Sequence, residues 1–154
     1  NVEQNRKRAL DTLKIHNLPD TALAHIIHEF KANILEITDS GEFQGYDASI
    51  TTTKNVLSQT TADCASVIIS DTQGKIISLV HGSWHTLSAQ IICDTIAKIR
   101  TQTTEPLIAG IGPMICGSCY EFGAEAATLF DPKYLTKKQN NFLVDLKQMV
   151  IDQL

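Results

Sequence analysis

No apolar run in the 154-residue chain approaches the ~20 residues that a membrane-spanning helix needs. The opening residues Asn1-Val2-Glu3-Gln4-Asn5-Arg6 are polar and lack the apolar centre of an export signal. Internal repeats, low-complexity tracts and linkers are also missing, so a single domain over residues 1–154 is expected. An excess of positive charge is absent too: 13 basic against 17 acidic side chains leave a net charge of −4. The one dense basic cluster, Arg6-Lys7-Arg8, fits the solvated face of a first helix, and neither nucleic acid nor membrane is an expected partner. Four cysteines in a chain without an export signal read as free thiols or metal ligands, and the expected location is the cytoplasm.

What remains is ordinary for a globular protein: 43% hydrophobic and 19% charged residues, enough for one core without disulfide staples. The first 16 residues have helical spacing at Ala9, Leu10 and Leu13, stopped by Asn17-Leu18-Pro19-Asp20. Short β-branched segments follow at 24–28, 33–38, 48–53 and 56–61, with Gly41, Gly45 and Asp47 marking a break. The clearest hairpin joins residues 66–70 to 75–80 through Asp71-Thr72-Gln73-Gly74, and its apolar runs suit strands in the middle of a layered structure. A helix over 87–100, a buried strand over 107–111 and a helix from about Gly123 to Asp131-Pro132 are predicted next. Asn141-Phe142-Leu143-Val144 leads into a last helix. Strands gather first and helices later, which favours an α+β layered sandwich with a mixed sheet.

The hairpin also brings chemistry together. Thr61-Ala62-Asp63-Cys64 precedes its first strand and His81-Gly82-Ser83-Trp84-His85 closes its second, so an antiparallel pairing puts Cys64 and His81 side by side. A sulfur and an imidazole within ~4 Å can hold zinc or copper, or can form a Cys–His nucleophile pair. A metal needs a third ligand, and His28, ending its own short segment, is the best placed. Spacing alone leaves open the metal site, a cysteine hydrolase, and unrelated packing.

Gln59-Thr60-Thr61-Ala62-Asp63-Cys64, Val80-His81-Gly82-Ser83-Trp84, and Gly110-Ile111-Gly112-Pro113 with Cys119-Tyr120-Glu121-Phe122-Gly123 stand in a telling order. With Asn5-Arg6, Tyr46-Asp47-Ala48-Ser49-Ile50-Thr51 and Phe142-Leu143-Val144-Asp145-Leu146-Lys147 they resemble the YfiH-like laccase-domain family, also called multicopper polyphenol oxidoreductases and purine nucleoside phosphorylases. The family motifs read T-A-D-C, H-A-G-W-R-G and G-P-x-I-x-x-x-Y-E-V-G. The resemblance implies an α/β sandwich related to cysteine-deamidase toxins. It implies an enzyme on purine nucleosides and phosphate, cleaving adenosine, inosine and methylthioadenosine, with adenosine deamination and phenol oxidation also described. It further implies a zinc or copper ion on His28, Cys64 and His81, which are then both metal ligands and catalytic residues.

The sequence departs from the family at several points. Ile26 replaces the glutamine of Q-V-H, and Gly82-Ser83-Trp84-His85-Thr86 replaces A-G-W-R-G. An imidazole at His85 cannot reproduce the bidentate fork of an arginine, so phosphate binding is expected to be weaker or altered. The family's segment before N-R and its late S-Y-R-R segment have no counterpart.

Other residues invite weaker readings. Cys116-Gly117-Ser118-Cys119-Tyr120 has a papain-like local signature, but no histidine follows it, and the strand-to-helix context of a thioredoxin-like pair is missing. Loop cysteines at a pocket rim are the expectation. His25 should face away from His28, and His16 should cap a helix C-terminus. His85 has three open roles (metal, substrate or solvent), while Trp84 is expected in packing and Asp63 in a supporting contact or a turn.

Overall fold

A computed structural model describes residues 2–12 and 23–154. Helix α1 covers Val2–Thr12, with Lys7 and Arg8 exposed. Leu13, His16 and the predicted stop at Asn17-Leu18-Pro19-Asp20 lie outside the described residues. The chain then alternates short strands: β1 (Leu23–Ile27), β2 (Ile34–Glu36), β3 (Gly41–Gln44), β4 (Ala48–Thr51) and β5 (Val56–Ser58). Strands β6 (Ala65–Asp71) and β7 (Ile77–Gly82) form the expected hairpin. Helices α2 (Trp84–Ser88) and α3 (Ile91–Arg100), strand β8 (Leu107–Ile111), strand β9 (Glu121–Phe122) and helix α4 (Ala126–Leu129) follow. A short turn of 3-10 helix, Pro132–Tyr134, leads to β10 (Leu135–Lys138), β11 (Asn141–Val144) and α5 (Leu146–Gln153).

The strands build three sheets. The largest is mixed, in the order β2-β4-β7-β6-β8, with β2 and β4 parallel and the other pairs antiparallel. A parallel sheet, β3-β1-β5, and an antiparallel one, β10-β11-β9, flank it. Helices α2, α3 and α5 pack on the large sheet, and the main core joins Val67, Ile69 and Val80 to Leu87, Ile91, Ile92, Ile99 and Val150. Each fully buried isoleucine or leucine there stabilises the fold by about 1.5–3 kcal/mol. A smaller core of Ala24, Ile26 and Ile37 holds the parallel sheet in place with Leu35, Phe43 and Leu57. This is the layered α+β sandwich with mixed sheet that the order of elements implied.

Several elements differ from expectation, each for a local reason. The helix predicted over 87–100 is two helices. Ser83 caps α2 through a reciprocal bond pair with Thr86, which starts the helix earlier, and Gln90 breaks the run with a left-handed φ of 61°. A left-handed Cβ crowds the following carbonyl, so Gln90→Gly is expected to raise stability by up to about 1 kcal/mol. Thermal denaturation should register this as a small rise in Tm.

Strand β8 is an edge strand and its residues 108–111 are exposed, not buried, because only β6 pairs with it. The hairpin strands are central in the sheet, yet Ile68 and Ile77 remain 48% and 39% exposed on the face away from the helices. The helix expected from Gly123 shrinks to α4, and Asn141–Val144 is itself a strand paired with β10 before α5 begins. Strand β3 falls where a break was expected, since its polar Glu42 and Gln44 hide the alternation of an edge strand. Cys116 and Cys119, expected as free rim thiols, are paired in a disulfide, which the tight turn with Cys119 N–H on the Cys116 carbonyl permits. Among the described residues no helix is long and apolar enough to cross a membrane.

Candidate metal centre

Four strand ends converge at one edge of the large sheet. Strand β7 pairs with β6 so that Ser66 lies opposite His81, and Cys64, two residues before Ser66, points to the same face. On its other side β7 pairs with β4, Ala48 opposite Val80, which puts Asp47 opposite His81. The His81 N–H donates to the Asp47 carbonyl at 2.7 Å, continuing the ladder. His28 stands one residue beyond β1 and is brought over His81 because the loop after it folds around Asp47.

Asp47 is fully buried, and its carboxylate is surrounded by donors. Oδ1 accepts from Phe30 N–H at 3.2 Å and from His81 Nδ1–H at 3.1 Å. Oδ2 accepts from Lys31 N–H at 2.9 Å and Ala32 N–H at 3.1 Å. Phe30 and Ala32 hold left-handed φ values of 58° and 60°, a conformation in which the loop's N–H groups turn inward. Burial raises the carboxyl, but the His81 and backbone hydrogen bonds outweigh it and hold Asp47 below its ordinary value.

The two imidazoles stack, with ring centroids 3.7 Å apart and planes 19° from parallel. His28 Nε2 meets the Thr60 carbonyl oxygen, which can only accept, so the ring proton is on Nε2. His28 Nδ1 is then a bare lone pair, buried and without a hydrogen-bond partner. Burial and the neighbouring His81 lower the His28 pKa, against the Thr60 contact, which keeps the ring neutral at pH 7. Burial opposes charge on His81 as well, but hydrogen bonds to Asp47 and Cys64 more than offset it and push its pKa up to about 9. Cys64 therefore lies near His81, on the side the hairpin implied.

One atom each from His28, Asp47 and His81 falls within 4.8 Å of the others, a spacing compatible with a cation. The donor inventory separates their roles. Both carboxylate oxygens of Asp47 are occupied by N–H groups, whereas the His28 lone pair is vacant and only Nδ1 of His81 is engaged by Asp47. The atoms that fall together are thus two imidazole nitrogens and a carboxylate oxygen, and Cys64, the sulfur expected as third ligand, is not among them.

The rim is aromatic. Phe30 is 51% exposed, with its ring 5.4 Å from His81 and 5.9 Å from His85. His85 is exposed and stacks on Trp84 at 3.6 Å, while Trp84 packs against Phe122 and Phe130. Tyr120 is near enough to Cys64 and Asp63 for their charge to add to burial in raising its phenol pKa. The loop bearing Cys116 and Cys119 is tied to the centre by Ile115 N–H on the Asp63 carbonyl at 2.9 Å. His25, by contrast, is buried and bonded to Ser58 Oγ at 3.0 Å, which satisfies it away from the centre.

A pH dependence follows for protein stripped of metal. His81 is raised from 6.5 to about 9, so its favourable contribution is complete below about pH 6.5 and is lost as pH climbs toward 9. The full loss is on the order of 3 kcal/mol, read by urea denaturation in the presence of chelator. A stability that stays flat across that range would contradict the His81–Asp47 pairing.

Residues 1–154 match the family described as Multi-copper polyphenol oxidoreductase laccase. The chain belongs to this family. A purine nucleoside phosphorylase of Rickettsia conorii is 36% identical over 113 residues, covering 68% of this chain and 47% of that protein. A protein named adenosine deaminase, from an unknown prokaryotic organism, is 30% identical over 90 residues, covering 56% of this chain and 34% of its own length. The chain thus spans about half the length of the phosphorylase it matches. Among solved structures, YfiH of Bacillus licheniformis superposes with a TM-score of 0.85 at 19% identity, covering 97% of this chain and 63% of that one. The laccase-domain family membership inferred from the sequence motifs holds, and so does the layered α+β class with a mixed sheet.

Proposed function

We propose that His28, Cys64 and His81 bind one divalent ion, zinc or copper, and that this centre acts on purine nucleosides. The observation that carries the reading is the buried, unpartnered Nδ1 of His28, on a ring stacked against the His81 imidazole. A buried lone pair without a donor costs about 1–3 kcal/mol, and an ion shared with His81 and Cys64 would remove that cost. When bound, the ion would supply Lewis-acid stabilisation of charge developing on the substrate. Relatives named purine nucleoside phosphorylase and adenosine deaminase support phosphorolysis of purine nucleosides and deamination of adenosine; adenosine, inosine and methylthioadenosine are the proposed phosphorolysis substrates. The family description supports phenol oxidation as a further activity.

The chain's own residues divide the work. His28 and His81 hold the ion from stacked rings, and Cys64 adds the softer donor. Phe30 offers an exposed aromatic face beside the centre, suited to a purine ring. His85 occupies the place of the family's arginine and gives an incoming phosphate a weaker grip.

Metal-loaded protein incubated with adenosine and phosphate should release adenine and, by deamination, inosine, both resolved by chromatography. Phe30→Ala should raise KM about 10-fold or more and change kcat less, because a stacking face is worth about 1–3 kcal/mol. Neither product above a Cys64→Ala control would remove the activity; nucleoside affinity without product would leave a binding module.

The contacts Cys64–His81–Asp47 also favour a second reading, a metal-free cysteine hydrolase or deamidase with Cys64 as nucleophile and His81 as base. That reading leaves the vacant nitrogen of His28 without a role. It requires activity that survives chelation and covalent labelling of Cys64 by an electrophile.

A further inference from the structure

Asp47 lies close enough to both histidines to look like a ligand, yet its surroundings give it another task. A carboxylate offers about four lone-pair directions, and here four N–H groups take them: Phe30, Lys31, Ala32 and the His81 ring. Binding a cation directly would strip the N–H groups of the left-handed turn of their acceptor and strand them part-buried.

We infer that Asp47 is a positioning residue that fixes His81 as its Nδ1–H tautomer and leaves the Nε2 lone pair for the ion. The inference rests on the metal-centre reading above and adds a residue to it. Its basis is geometric. Nδ1 of His81 is 3.1 Å from a carboxylate oxygen, and an ionised carboxylate only accepts, so the proton between them belongs to the ring. The neighbouring ladder bond from His81 N–H to the Asp47 carbonyl fixes the backbone of both residues. The same carboxylate closes the turn that follows His28, so one side chain sets the spacing of both imidazoles. Replacing one carboxylate oxygen by an amide would present a donor to Nδ1 and drive the ring proton to Nε2, where the lone pair is needed.

The test loads ¹⁵N-labelled protein with ¹¹³Cd and reads ring couplings by NMR, alongside zinc affinity by chelator competition for wild type and Asp47→Asn. We expect ¹¹³Cd coupling to His81 Nε2, a protonated Nδ1, and zinc binding by Asp47→Asn weakened about 10–100-fold. Coupling to His81 Nδ1, or zinc affinity of a folded Asp47→Asn within about 2-fold of wild type, overturns the inference while leaving the metal centre standing. No cadmium or zinc uptake by wild type overturns both. Should Asp47→Asn fail to fold, the wild-type couplings decide alone, since a merely structural aspartate would not dictate which ring nitrogen meets the ion.

Discussion

Replacing Cys64 with alanine is expected to abolish metal retention and to lower nucleoside turnover by more than ~100-fold. Cys64 is the sulfur near His81, and the other proposed ligands are the two imidazoles, with the Asp47 carboxylate already engaged by N–H groups. Two imidazole nitrogens alone are a weak site for a divalent ion, so the third donor decides occupancy. His28→Ala should have the same direction. It removes the buried nitrogen that has no other partner, and nothing else in its Thr60 contact can take over. The fold should tolerate both changes, since Cys64 and His28 are only half-buried and lie at strand ends. Metal content, turnover and a melting curve on each variant therefore separate loss of the ion from loss of the fold.

Asp47→Ala is expected to destabilise the protein by about 3–5 kcal/mol, a large share of the stability of a domain this size. The substitution leaves three buried or part-buried N–H groups without an acceptor and removes the counter-charge of a buried imidazole. Each unsatisfied donor costs about 1–3 kcal/mol, with partial recovery where water can enter. The left-handed conformations of Phe30 and Ala32 would lose what holds them, so the loop that carries the aromatic rim should loosen first. Urea denaturation measures the loss, and hydrogen exchange at Phe30, Lys31 and Ala32 locates it. A loss below about 1 kcal/mol would show that the carboxylate is not what organises this turn.

How much of this could be read from residues alone depends on how local each feature is. The β6–β7 hairpin has its turn and both apolar runs within a few residues, so the meeting of Cys64 with His81 was legible from one antiparallel pairing. The position of His28 was not fixed by any local pattern. It depends on the parallel pairing of β1 with β3 and β5 and on the turn around Asp47, so the end of a short segment could only suggest it and the family motif strengthened the choice. Asp47 itself was visible as a break residue and as part of the Tyr46–Thr51 motif, with no role attached to its side chain. Its partner His81 is 34 positions away, and the β4–β7 register that joins them leaves no mark on either segment. Polar strands such as β3 and β10 were missed because Glu42, Gln44, Thr136 and Lys137 sit on exposed faces, where burial imposes no alternation. The division of one predicted helix into α2 and α3 turns on the backbone of Gln90, a residue type that gives no warning of a left-handed conformation.

The most direct measurement is X-ray absorption on zinc-loaded protein, with metal content determined in parallel. One ion per chain, held by one sulfur and two imidazole nitrogens and lost in both Cys64→Ala and His28→Ala, is the predicted result. A coordination shell without sulfur, or an ion that persists when Cys64 and His28 are replaced, would contradict the centre on which the nucleoside chemistry rests.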